Sequence, residues 1–85
     1  LRFPEDATED LCIIPFAIAD RIVYKITHYC TTDNPMIFAL ALHGDLKGHY
    51  RFRVGDYRAI FLLERPGKIT ICVIERIKHR KEVYE

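Results

Sequence analysis

Much that would mark a membrane, secreted or metal-binding protein is missing from this 85-residue chain. Its longest uninterrupted apolar run falls far short of the ~20 residues that span a bilayer. The stretch Phe-Pro-Glu-Asp-Ala-Thr-Glu-Asp at residues 3–10 is acidic where a signal peptide would be basic. The three cysteines, Cys12, Cys30 and Cys72, form no C-x-x-C pair and are odd in number. They are therefore expected to be reduced, mostly buried apolar fillers in a cytoplasmic protein with no membrane contact. His28 and His43 stand in no ligand spacing, and no H-x-E or paired-carboxylate pattern supports a metal site, so neither metal nor cofactor is expected. Gly48 and Gly55 read as turn residues rather than as parts of a phosphate loop. Repeats, linkers and low-complexity tracts are absent too. With 49% apolar residues, ten of them Phe or Tyr within the 85, the chain reads as one folded domain over residues 1–85. A domain of that length buries roughly 60 to 65% of its unfolded surface. No initiator Met is present, so residues before Leu1 are expected, with Leu-Arg-Phe as the stump of a strand.

What is present is a sorted set of charges. The net charge is only +1, yet residues 1–42 hold three Lys/Arg against six Asp/Glu, whereas residues 43–85 hold ten against six. An acidic first half and a basic second half fit a protein that turns one surface toward a polyanion.

Pro4, followed by an acid-rich first turn and apolar residues at Ala7, Leu11 and Ile14, predicts a short helix from Glu5 to Ile14. After Pro15, Ile18, Ile22, Ile26, Tyr29 and Cys30 recur at three and four residues, predicting a second helix that ends at Thr-Thr-Asp-Asn-Pro. "MIFALALHGDLKG" has too few polar breaks to choose between a helical turn and an extended connection. Strands are expected at 49–54, 57–64 and 69–76, the last two joined through "RPGK" by a loop of two or four residues. The plan is α+β: a helical hairpin packed on an antiparallel sheet of three to four strands.

Gly55-Asp56 between two alternating runs is a two-residue hairpin signal that pairs Val54 with Tyr57. Counting back puts Arg53 opposite Arg58, Phe52 opposite Ala59 and Arg51 opposite Ile60. One face then carries Tyr50, Phe52, Val54, Tyr57, Ala59, Phe61 and Leu63 and is a core face. The other carries His49, Arg51, Arg53 and Arg58. Like charges directly across a ladder cost up to ~1 kcal/mol, so Arg53 beside Arg58 calls for an anion, with phosphate fitting best, or for nearby acids. Register across "RPGK" leaves open whether Glu75 or Arg76 joins this face. An alternating Arg strand is also what a plain solvated sheet face looks like.

"LKGHYRFRVGDYRAIF" at 46–61, followed by "IERIKHRKEVY" at 74–84, resembles the RelE branch of the RelE/ParE toxin superfamily of toxin-antitoxin pairs. The resemblance implies a RelE-like microbial ribonuclease fold and cleavage of messenger RNA, usually in the ribosomal A site, without a metal. Such a reaction needs a base for the ribose 2'-OH, an acid for the 5'-oxygen and cations for the phosphorane. Arg51, Arg53 and Arg58 are the expected cations, with His79 and Tyr84 left for proton transfer and base stacking. Some relatives use a Glu-His pair whose Glu comes from an upstream loop. This chain has no Glu in the loop before His49, so the base is expected among His79 and Tyr84, with Lys78 or Arg80 assisting. Lys47, His49, Lys78, Arg80 and Lys81 are the expected RNA contacts. The implied partners are a small cognate antitoxin, messenger RNA on the ribosome, and operator DNA bound by a toxin-antitoxin hetero-oligomer. Two alternatives share the fold: a ParE-like inhibitor of DNA gyrase without nuclease chemistry, and a degenerate antitoxin-binding module. Gyrase-directed relatives generally lack the ending that stands here as His79 to Tyr84.

Overall fold

Two prolines set where the helices begin. In the computed structural model, which describes residues 1–83, Pro4 precedes α1 (Glu5–Ile13), whose first turn places Glu5 and Asp6 at the positive end of the helix dipole. Ile14 is extended (φ −86°, ψ 140°), because the residue before a proline is excluded from the helical region. Pro15 then starts α2 (Phe16–Cys30), which buries Ile22 and Ile26. Ile18, expected on the same stripe, lies beside Val54 and Gly55 at the hairpin turn and stays partly exposed.

Four antiparallel strands follow, β1 (Ala39–Ala41), β2 (Tyr50–Val54), β3 (Tyr57–Glu64) and β4 (Ile71–His79), in that order across the sheet. The β2–β3 register is the one expected, with Val54–Tyr57, Arg53–Arg58, Phe52–Ala59 and Arg51–Ile60 as partners. Gly55, at φ 58°, takes the first central position of the turn, where a side chain would be strained. The fourth strand comes from the ambiguous apolar connector, as β1 between two 3₁₀ turns, and not from the N-terminus. There, Arg2 makes one parallel bridge with Val73 before Pro4, which has no N–H to give, turns the chain into α1. The β3–β4 connection occupies 65–70, longer than the expected turn, and shifts β4 toward the C-terminus.

The helices pack on one sheet face. Phe52 and Phe61 stack at 4.2 Å between ring centres, and Ala7, Ile22, Ile26 and Ile74 close around them. Each fully buried Phe or Ile contributes ~1.5 to 3 kcal/mol. A smaller apolar cluster, Leu42, Ile60 and Val83 with Leu46 against it, lies on the other face, where Ile60 alternates with Ala59 and Phe61. Of the cysteines expected to be fillers, Cys72 is buried and Cys30 half-buried, but Cys12 is exposed on α1.

Candidate nucleic-acid interface

Register alone assembles the cationic row. Arg53 on β2 faces Arg58 on β3, and Arg58 faces Lys78 on β4, so three basic positions lie side by side across three strands. At the usual strand spacing that row is ~10 Å wide. Arg51 is two residues along on the same face, opposite Ile60. The side chains differ in what they offer. Arg53 is exposed and Arg51 half-buried, while Arg58 is only 7% exposed. Its Nη1 donates to the carbonyls of Gly55 (3.1 Å) and Tyr57 (3.0 Å). Carbonyl dipoles at the turn thus absorb part of the charge that the sequence pattern assigned to an anion. Arg58, expected as a cation for the phosphorane, is buried and bound to the turn.

A β-bulge settles which acidic or basic neighbour joins the face. Ile60 pairs with Arg76 but Phe61 pairs with Ile74, leaving Glu75 as the extra residue of β4. Glu75 Oε2 lies 3.0 Å from His49 Nε2, with the two side chains 40% and 22% exposed. His49 is fixed at its backbone as well, donating N–H to Leu46 and accepting from Leu42, both at 3.0 Å. Arg76 turns the other way, to α1, where its Nε and Nη2 donate to Asp10 at 2.8 and 2.9 Å. The Ile77 N–H donates to the same carboxylate at 2.8 Å. The Arg76 hydrogen bonds hold the Asp10 carboxyl below the usual carboxylate range, against the opposing effect of burial.

His79 does not join the arginines. It pairs with Tyr57 in the ladder, on the helix side of the sheet, and its ring meets Tyr57 edge-on at 5.4 Å. Its Nδ1 accepts from the Lys81 N–H at 3.2 Å, capping the last 3₁₀ turn. The bulge is the cause, since inserting one residue reverses which side chains of β4 face the helices. Lys78 keeps its ladder position beside Arg58, but its Nζ lies 3.8 Å from Glu82 and its charge acts on Asp10 of α1. Arg80 is exposed and bound to Asp56 at 3.5 Å, and Lys81 and Lys47 are exposed away from any ladder pair. Val83 packs on Ile60 and Leu42, on the cationic side of the sheet. Tyr84 lies outside the described residues.

Two features were missed from sequence, the partnership of His49 with Glu75 and the face taken by His79. A signal for both exists. Cys72 and Ile74 keep the alternation of β4, but the next buried position is Ile77, with the polar pair Glu75-Arg76 between, which is how a bulge reads in sequence. Chemically the arrangement offers fixed cations for a phosphate and a carboxylate-imidazole pair able to move a proton. Among the described residues no group of three or more His, Cys, Asp or Glu gathers to hold a metal ion, and no helix is long and apolar enough to cross a membrane.

Compared with known proteins, the chain matches over residues 1–84 the family model described as the ParE toxin of type II toxin-antitoxin systems, parDE. No curated protein matches it. Among solved structures it is similar to the toxin-antitoxin complex RelBE2 of Mycobacterium tuberculosis, with 26% identity and a TM-score of 0.73, covering 93% of this chain and 87% of that one. It is also similar to the RelB-RelE antitoxin-toxin complex of Methanococcus jannaschii, with 27% identity and a TM-score of 0.64, covering 96% and 93%.

Proposed function

Because this chain belongs to the ParE toxin family of type II toxin-antitoxin systems, within the RelE/ParE superfamily, we propose that it is a metal-independent endoribonuclease that cleaves messenger RNA in the ribosomal A site. The observation that carries this reading is the Arg53-Arg58-Lys78 row with the Glu75–His49 pair on the same sheet face. A gyrase inhibitor needs a binding surface but no group placed to move a proton beside its cations.

In the proposed reaction the ribose 2'-oxygen attacks the adjacent phosphorus and the 5'-oxygen leaves. Arg51, Arg53 and Lys78 hold the phosphate and its developing charge, while Arg58, bound to the turn, keeps Arg53 in place. Glu75, the more exposed member of its pair, takes the 2'-OH proton, and His49 orients the carboxylate. His79 is replaced in that role because it faces the helices. Tyr84 keeps its expected part in proton transfer or base stacking, and Lys78 is the second donor for the leaving oxygen. The solved relatives are toxin-antitoxin complexes, which supports a cognate antitoxin that covers this face and a hetero-oligomer that binds operator DNA. The work is cytoplasmic, where ribosomes are.

The test is induced expression with mapping of messenger RNA ends, alongside a gyrase supercoiling assay. Cuts inside reading frames with normal supercoiling are expected. Intact transcripts with poisoned gyrase would replace this reading with the gyrase one.

A further inference from the structure

Cys30 is the last residue of α2 and Cys72 the second of β4, yet both line one cavity of about 320 Å³ between the helix end and the sheet. Cys72 is 4% exposed within the main core, and Cys30 packs against that core from the side. Asn34, Arg65 and Thr70 give the cavity a polar lining, and its volume exceeds the ~30 Å³ share of a water molecule many times over. Each thiol perturbs the ionisation of the other. The hydrogen bond from Cys30 favours the thiolate of Cys72 and brings its pKa down to about 7, while the same bond and burial push the Cys30 thiol up. Such a pair is more than two apolar fillers. The third cysteine, Cys12, is exposed on α1 and does not line this cavity.

We propose that Cys30 and Cys72 are a peroxide-oxidised dithiol that closes to a disulfide and staples the end of α2 to β4. The Cys72 sulfur attacks one oxygen of hydrogen peroxide; the O–O bond breaks, water leaves with a proton, and a sulfenic acid remains. The Cys30 sulfur then attacks the Cys72 sulfur, the S–O bond breaks, and hydroxide departs as water with the Cys30 proton. Two thiols lose two electrons and two protons, and one peroxide becomes two waters. The closed loop contains most of the sheet, so the link restricts the unfolded chain strongly. It also anchors the strand that carries Glu75 and Lys78. The proposal stands whether or not the domain cleaves RNA.

The experiment titrates the reduced full chain with hydrogen peroxide and reads intact mass, peptide map and melting temperature. Expected are the loss of two hydrogens, one peptide pair joined through Cys30 and Cys72, and Cys12 still open to alkylation. The melting temperature should rise by more than ~5 °C and fall back with dithiothreitol. Cys12→Ser should behave as the wild type, and Cys30→Ala and Cys72→Ala should lose the shift. Oxygen added to a thiol without that cross-link, a cross-link through Cys12, or an unchanged mass would each overturn the proposal. The mass of the wild-type chain decides this however well the alanine variants fold.

Discussion

Arg53 and Arg58 form one ladder pair but do different work. Removing Arg58 forfeits hydrogen bonds from a charged donor to two turn carbonyls, worth about 1.5 to 3 kcal/mol. It relieves a like-charge contact worth at most ~1 kcal/mol. The loss is the larger, so Arg58→Ala is expected to melt several degrees lower, at ~4 to 8 °C per kcal/mol for a domain of this size. Arg53→Ala should melt where the wild type does and still cleave RNA more slowly. Thermal unfolding beside cleavage rates checks both, and equal melting losses at the two positions would mean that Arg53 is structural as well. The Glu75–His49 pair makes a second prediction. Glu75→Gln and His49→Gln should each slow single-turnover cleavage by ~10² to 10⁴-fold. The double variant should be no slower than the worse single one, because the two groups act as a unit. Losses that multiply would assign them separate roles.

At the scale of elements, α1 is tied to the sheet through Asp10, whose carboxylate takes three hydrogen bonds from β4. Its folded-state pKa lies below the usual ~3.9 of an unfolded Asp. The contribution is therefore complete above that value and is lost as pH falls through the folded pKa. Arg76 is nearly half exposed, so solvent screens its share, and the buried bond to Ile77 N–H carries the remainder. Asp10→Asn should cost about 1 to 3 kcal/mol at neutral pH and flatten the acid limb of the stability curve below pH ~4. Denaturant melts across pH measure both; a variant with an unchanged acid limb would place the titrating group elsewhere. Nothing in the sequence pairs residue 10 with residue 76, because ion pairs between distant segments follow from packing and not from local pattern. The β2–β3 hairpin was legible to the residue, since a two-residue turn with Gly55 and strict alternation leave one register. The β3–β4 register was not, since the 65–70 loop constrains no pairing and the bulge at Glu75 shifts everything after it. That is why the Arg53–Arg58 pairing could be counted from sequence while the face taken by His79 could not. β1 was hidden for another reason: three residues, Ala39–Ala41, are too few to show a period.

For the whole molecule the question is where charge sits, since a net charge of +1 attracts no polyanion by itself. Folding turns a sequence asymmetry into a spatial one: α1 and α2, with Asp6, Glu9, Asp10 and Asp20, cover one sheet face, and Arg51, Arg53 and Lys78 line the other. If single-stranded RNA lies on that second face, three phosphate contacts should displace counterions with a salt slope of ~−0.7 each, near −2 in total. The measurement is fluorescence anisotropy of a short RNA over a salt series, in a Glu75→Gln background so that the probe survives. Arg53→Ala should make the slope shallower by ~0.7. Arg21→Ala removes the same charge from the exposed side of α2 and should leave the slope unchanged. Net charge alone would treat the two substitutions alike, because each takes away one unit. Equal slopes for the two variants would mean that RNA is drawn by overall charge, and the cationic face would lose its place as the binding surface. A slope changed only by Arg53→Ala would locate the phosphates on the row that the hairpin register builds.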